Sequence, residues 1–235
     1  MKLEVKNLTK SYDDNEVLKD IDFTFESGKI YGLLGRNGAG KTTFFNCINQ
    51  DVSVDEGKIY LENDYGKRLI RTQEIGYVLS TPIVPEFLTG REFLTFFLEI
   101  NEKKISEKRS IDYYFDLVKI NVEDQDKLLK DYSLGMKNKM QLLIHIISNP
   151  KVILLDEPLT SLDIVVQEDM KKLLKDLKKD HIIIFSTHIL ELALDLCDDI
   201  VILNHKKLEN VKKDHLNTKK YKDKIIHCLK DVSCD

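Results

Sequence analysis

Apolar and polar residues alternate over residues 2–8 and 17–25, with Leu3 and Val5 in the first run and Ile21, Phe23 and Phe25 in the second. A two-residue period predicts strands with one buried face, and the Asp13-Asp14-Asn15 turn between the runs predicts an antiparallel pair. Ile30 to Leu34, Val152 to Leu155, Ile182 to Phe185 and Ile200 to Leu203 are short continuous apolar runs, as expected of strands buried on both faces. Gly57 to Leu61 and Ile75 to Leu79 predict two further strands. From about Thr89 to Ile147 the period becomes helical. Ile111, Tyr114, Phe115 and Val118 fall on one helix face, and Met140, Leu143, Ile144 and Ile147 repeat the spacing. Residues 163–179 predict an amphipathic helix with Val166, Met170, Leu173, Leu174 and Leu177 on one side, and 189–197 predict another. Apolar strands alternating with helices predict an α/β domain built on a parallel sheet, made mixed by antiparallel edge strands. The helical stretch 83–147 then reads as a subdomain inserted between two parts of the core, residues 1–82 and 148–205. No internal repeat is visible.

Composition narrows the classes. A chain of 235 residues can bury one α/β core with a subdomain. A formal net charge of −4, with both signs interspersed, argues against nucleic acid as a partner. Cys47, Cys197, Cys228 and Cys234 lack metal-ligand spacing and read as reduced thiols. The strand-like start, Met1 to Val5, predicts no signal peptide. No segment approaches the roughly 18 apolar residues of a spanning helix. A soluble, cytoplasmic chain is expected, with any membrane role carried by a partner. Residues 206–235 are lysine-rich and read as a short solvated extension, or as a contact for anionic lipid headgroups. Ile225, Ile226 and Leu229 predict a short ordered segment within it.

The candidate chemistry follows the strand at Ile30 to Leu34. Gly35-Arg36-Asn37-Gly38-Ala39-Gly40-Lys41-Thr42-Thr43 fits a phosphate-binding loop, G-x-x-x-x-G-K-[ST]. Its glycines let backbone N–H groups wrap phosphate oxygens, Lys41 can reach the β- and γ-phosphates, and the Thr42 hydroxyl can ligate Mg²⁺. A helix expected over 43–48 would aim its positive end at the same phosphates. A second apolar strand ends in Asp156 and Glu157. There a carboxylate such as Asp156 can hold a metal-bound water, and Glu157 can act as general base on an attacking water. ATP and Mg²⁺ are the expected cofactors. His145, set among Leu143, Ile144, Ile146 and Ile147, reads as structural.

With these motifs in order, the chain resembles the nucleotide-binding subunit of ATP-binding cassette (ABC) transporters over residues 1–205. Tyr12 sits where that family stacks an aromatic ring on adenine, although ordinary strand-edge packing is an alternative. Residues 35–43 are similar to its Walker A loop and 152–157 to its Walker B strand. Tyr132-Ser133-Leu134-Gly135-Met136 lies at the signature position, Ser161-Leu162-Asp163 at the D-loop and Ser186-Thr187-His188 at the switch histidine. The resemblance implies that Ser133 and Gly135 serve the nucleotide held by a second subunit. It also implies that His188 contacts the γ-phosphate, and that two cassettes close over two ATPs beneath separate membrane permease subunits. The chain would then be peripheral, on the inner face of the membrane.

Two departures stand out. The family's glutamine after the strand at 75–79 is here Ser80, which could reach the metal only through a water. Leu134 and Met136 replace a glycine and a glutamine of the signature. Ser80 predicts slow hydrolysis. The signature form resembles cassettes that pair with ABC-2-type permeases, implying an exporter of antibiotics, bacteriocins or lipids. Two other readings remain: an ATP-gated regulatory subunit with weak hydrolysis, and a soluble ABC-type ATPase. The second is disfavoured because one cassette lies in the chain and the span from Lys41 to Ser133 is too short for a long coiled coil. Phe87, Phe93, Phe96 and Phe97 predict part core and part exposed patch, the latter suited to docking a helix of a membrane partner.

Overall fold

The computed structural model describes residues 1–103, 105, 109–160 and 162–211. Two sheets organise the core. Six strands stand in the order β10-β9-β3-β8-β7-β6, with β3 at Ile30–Leu34, β6 at Ile75–Val78, β7 at Val152–Asp156, β8 at Ile182–Thr187, β9 at Asp199–Asn204 and β10 at Lys207–Val211. All neighbours in that sheet are parallel except β10, which pairs antiparallel with β9. Strands β3, β7 and β8 are buried along their whole length, which is why their sequences are apolar without alternation.

The N-terminal strands do not join this sheet as expected. Strands β1 (Lys2–Tyr12), β2 (Asn15–Glu26), β4 (Glu56–Asn63) and β5 (Gly66–Leu69) form their own antiparallel sheet in the order β2-β1-β4-β5. The antiparallel edge of the mixed sheet is β10 instead. The expected boundary at residue 205 therefore falls inside the β9–β10 hairpin, whose turn is tied to β2 by Lys19 N–H donating to the Lys206 carbonyl at 2.9 Å. The remainder of the lysine-rich segment, with its expected ordered stretch, Cys228 and Cys234, lies outside the described residues. Cys47 and Cys197 are buried free thiols, and burial pushes the Cys47 thiol up to about 11.

Helix α1 (Lys41–Asn49) runs between the two sheets. Its Phe44 and Phe45 pack with Leu3, Val5 and Leu8 on one side and with Leu33, Leu154 and Ile184 on the other. Successive side chains of a strand point to opposite faces, so Leu34, Leu155 and Phe185 pack on the far side. There they meet Met170 and Leu174 of α6 (Ile164–Leu177) and Leu190 and Ala193 of α7 (Leu190–Leu196). The inserted region carries α2 (Gly90–Ile100), α3 (Ile111–Leu117), α4 (Val122–Gln125) and α5 (Leu134–Ser148) around a third apolar cluster that includes Phe93, Phe115 and Leu143. Helix α5 straddles the join: Met140, Leu143 and Ile147 pack in the helical cluster while Leu142 packs in the core. Its His145 Nε2 donates to the Tyr77 carbonyl of β6 at 3.0 Å. Because this ring is enclosed, its pKa lies below the ordinary histidine value.

Candidate nucleotide site

Parallel strands deliver their C-terminal ends to one edge of the sheet, and the site forms there. The loop after β3 turns through Gly38 (φ 82°) and Gly40 (φ 102°), both in the left-handed region that favours glycine. A Cβ on Gly40 would also lie 2.9 Å from a Val17 methyl. Ala39 N–H donates to the Arg36 carbonyl at 3.1 Å, closing the turn. Helix α1 begins at Lys41, two residues before the expected start, so its first N–H groups open directly onto the loop.

Lys41 is buried, and its ammonium donates to the carbonyls of Gly35 (2.9 Å) and Arg36 (3.1 Å) while lying 3.6 Å from Glu157 Oε1. Burial lowers its pKa, and Glu157 and Asp156 partly offset that. Asp156, at the end of β7, accepts on both oxygens: from Thr42 Oγ1 at 2.9 Å on one, and from Ser186 Oγ at 2.5 Å on the other. Tyr77 OH stands 3.5 Å from the oxygen shared with Thr42. Burial raises the pKa of this phenol, which keeps it neutral as a donor. Glu157 follows in the left-handed region (φ 49°). Its N–H donates to Ser186 Oγ at 3.0 Å, and its carboxylate accepts from Thr160 Oγ1 at 3.2 Å. His188 Nδ1 lies 2.8 and 3.0 Å from the two Glu157 oxygens.

A cleft of about 540 Å³ opens over these groups, lined by Tyr12, Asn37, Gly38, Gly40, Lys41, Thr42, Thr43, Ser80, Asp156 and Glu157 among the residues expected from sequence. Val17, Leu134 and Thr160 also line it and were not anticipated as site residues. Gly35 and Ala39 shape the loop beneath it. Ser133 and Gly135 are not among its lining residues. Ser133 caps α5, its hydroxyl accepting from Met136 N–H at 3.2 Å, and Gly135 packs where a Cβ would lie 3.1 Å from Val166 of α6. Ser161 of the expected D-loop lies outside the described residues, while Asp163 caps α6 by accepting from Val166 N–H at 3.0 Å. The roles of Ser186 and Tyr77 toward Asp156 were missed. Ser186 had a readable signal, a hydroxyl directly after the apolar run 182–185. Tyr77 had none.

No group of three or more His, Cys, Asp or Glu side chains that could cage a divalent ion exists among the described residues. One hydroxyl and one carboxylate converge instead, which suits an ion that keeps its waters and takes phosphate oxygens as further ligands, as Mg²⁺ does.

The family model described as ABC transporter matches residues 18–160, taking in the phosphate loop, β7 and the Asp156–Glu157 pair. The chain belongs to the ABC transporter family. It is an ATP-binding subunit of such a transporter, and its curated relatives carry that description. An uncharacterized ABC transporter ATP-binding protein of Methanocaldococcus jannaschii is 35% identical over 88% of this chain and 75% of its own. The bacitracin transport ATP-binding protein of Enterococcus faecalis is 31% identical over 93% and 72%. A sulfate/thiosulfate import ATP-binding protein of Synechococcus elongatus is 30% identical over 89% and 62%. Among solved structures, a putative ABC transporter ATP-binding protein from Pyrococcus furiosus superposes with a TM-score of 0.73 at 26% identity, covering 86% of this chain and 98% of that one. A dimeric ATP-binding cassette bound to ADP and Pi superposes at 0.75 and 22% identity, covering 90% and 98%, which shows the shared fold. No described helix of this cassette is long and apolar enough to cross a membrane.

Proposed function

We propose that this cassette hydrolyses ATP and drives an exporter whose pore lies in separate permease subunits. The observation that carries the hydrolytic reading is the Asp156–Glu157 pair, one acid bonded to Thr42 of the phosphate loop and the next 3.6 Å from Lys41. Thr42 and Asp156 would hold Mg²⁺, Asp156 through a water, with Ser80 on the same cleft as a further water-mediated contact. Bound there, the ion would neutralise charge building on the phosphate oxygens. Lys41 exchanges its carbonyl contacts for the β- and γ-phosphates. That frees Glu157 to take a proton from the attacking water, with Thr160 holding the carboxylate. His188, already on Glu157, is placed to follow the γ-phosphate.

Tyr12 provides the adenine platform, and Asn37, Gly38, Ala39, Gly40 and Thr43 cradle the phosphates. Ser133 and Gly135 act on the nucleotide of a second copy. They open a 15-residue helix whose N-terminus favours an anion. The exporter reading rests on the signature form; the bacitracin transport relative supports the antibiotic class of substrate, and the import relative of similar identity is the counterweight. Exposed Ile83, Phe87, Phe96 and Ile100 suit docking of a permease helix, which would hold the cassette at the cytoplasmic face of the membrane. Ser80, too short to reach as glutamine does, favours slow turnover.

Glu157→Gln tests the proposal through steady-state phosphate release alongside ATP binding. We expect hydrolysis to fall roughly 10²- to 10⁴-fold, with ATP still bound and a dimer trapped. A variant that turns over like the native chain would remove Glu157 as the general base, and the hydrolytic motor reading would fail with it.

A further inference from the structure

Among the described residues, Tyr12 is the one aromatic lining the cleft, and its side chain is half exposed there. The Lys10 ammonium lies 5.1 Å from the Tyr12 ring centroid. This lysine is itself buried (8% exposed), which is unusual for a lysine unless it is paired. Its partner is Asp55, whose Oδ1 accepts from Lys10 Nζ at 3.2 Å. The other Asp55 oxygen accepts from the N–H of Ser11, the residue between Lys10 and Tyr12, at 2.6 Å. Asp55 is held in turn by its own N–H donating to the Thr9 carbonyl at 3.0 Å. One carboxylate from the segment before β4 thus fixes both the cation and the backbone that presents the tyrosine.

We infer that Lys10 and Asp55 are positioning residues for the nucleotide base: Asp55 fixes Lys10, and Lys10 braces the Tyr12 ring against which the purine stacks. The attraction between a cation and an aromatic face orients the ring before the ligand arrives, so less freedom is lost on stacking. The brace serves the base: the side-chain partners of Lys10 are the Tyr12 ring and the Asp55 carboxylate. The inference rests on the reading of Tyr12 as the adenine platform.

The test measures the affinity of the full chain for ATP and for inorganic tripolyphosphate, which has the phosphates and no base. Lys10→Met keeps the apolar stem and removes the charge. It should weaken ATP roughly two- to fivefold and leave tripolyphosphate unchanged, and Lys10→Arg should restore ATP binding. Pairing Lys10→Met with Asp55→Asn removes both charges, so that an Asp55 carboxylate left without its cation is not the cause of any loss; the double variant should retain the same selective weakening. Equal losses for ATP and tripolyphosphate, or no loss for either, would overturn the brace. Tyr12→Ala separates the two levels. If it weakens ATP selectively while Lys10→Met does not, the brace fails and the platform stands. If Tyr12→Ala leaves the ratio of the two affinities unchanged, the platform fails and takes the brace with it.

Discussion

The phosphate end of the cleft and the helical subdomain satisfy their polar groups very differently. In the cleft, Lys41, Thr42, Asp156, Glu157, Ser186 and His188 are bonded to one another or to the loop backbone before any ligand is considered. In the helical subdomain, Asn138 Oδ1 and Gln141 Oε1 are buried with no hydrogen-bond partner. They are the two such atoms among the described residues, and both belong to α5, one turn apart on the helix that begins at the signature. A buried acceptor left unpaired costs about 1–3 kcal/mol. The chemistry-bearing end is therefore set in place by the fold, whereas the helix that would address a second nucleotide carries the unpaired buried side-chain acceptors found among the described residues.

That contrast can be broken from either side. The largest expected effect is Lys41→Met. It removes a charge-assisted donor at the pre-set end and should weaken ATP by about 1.5–3 kcal/mol, while chemical denaturation shows an unchanged fold. A loss of stability matching the loss of affinity would mean that the cleft is not pre-set. Gly90→Ala comes next. Its Cβ would drive into the Tyr132 hydroxyl, which donates to the Asp124 carbonyl at 2.9 Å, and approach the Gln125 carbonyl at 3.0 Å. Overpacking of this kind costs about 1–3 kcal/mol, and it should appear in urea unfolding without changing ATP affinity.

Acid should act on the seam between the two regions. His145 is held neutral by its enclosure, so its folded pKa lies below its unfolded value of about 6.5. Above that pH both states are neutral and its full contribution is present. As pH falls toward the folded value, the unfolded chain takes up the proton first, and stability drops by up to about 1.4 kcal/mol per pH unit. His181, buried against the Pro150 carbonyl and lowered in the same direction, adds to the slope. Urea unfolding between pH 7.5 and 5.5 checks this, and His145→Gln should flatten the profile in part. The smallest effect expected is a gain. Gln141→Met removes an unpaired buried oxygen at similar volume and should stabilise the chain by about 1 kcal/mol, read as a rise in Tm. A fall would show that Gln141 has a partner the contrast overlooks.

Periodicity made most of this fold readable because buried parallel strands and amphipathic helices impose strong patterns. It failed where other forces decide. Strand β5, Gly-Lys-Arg-Leu, has no apolar alternation; it is defined by pairing with β4 and by the ion pair at 2.5 Å from its own Arg68 to Glu74. The assignment of β1 and β2 to a separate sheet depends on α1 packing beneath them, which alternation alone does not specify. At the site, the phosphate loop and the two acids were legible because their chemistry is contiguous in sequence. The bonds from Ser186 and Tyr77 to Asp156 were not, since they depend on which strands lie side by side.

The Asp156 carboxylate also works as a register gauge. It joins the start of α1, the end of β7 and the end of β8, and Ser186 is its direct cross-strand partner. A slip of one residue between β7 and β8 would turn Ser186 to the opposite face of the sheet and withdraw both its bond to Asp156 and its bond from Glu157 N–H. A misthreaded chain would keep its glycine loop but present it without an ordered acid. Competence to use a nucleotide thus becomes a sensitive report on whether distant segments of the polypeptide have paired correctly.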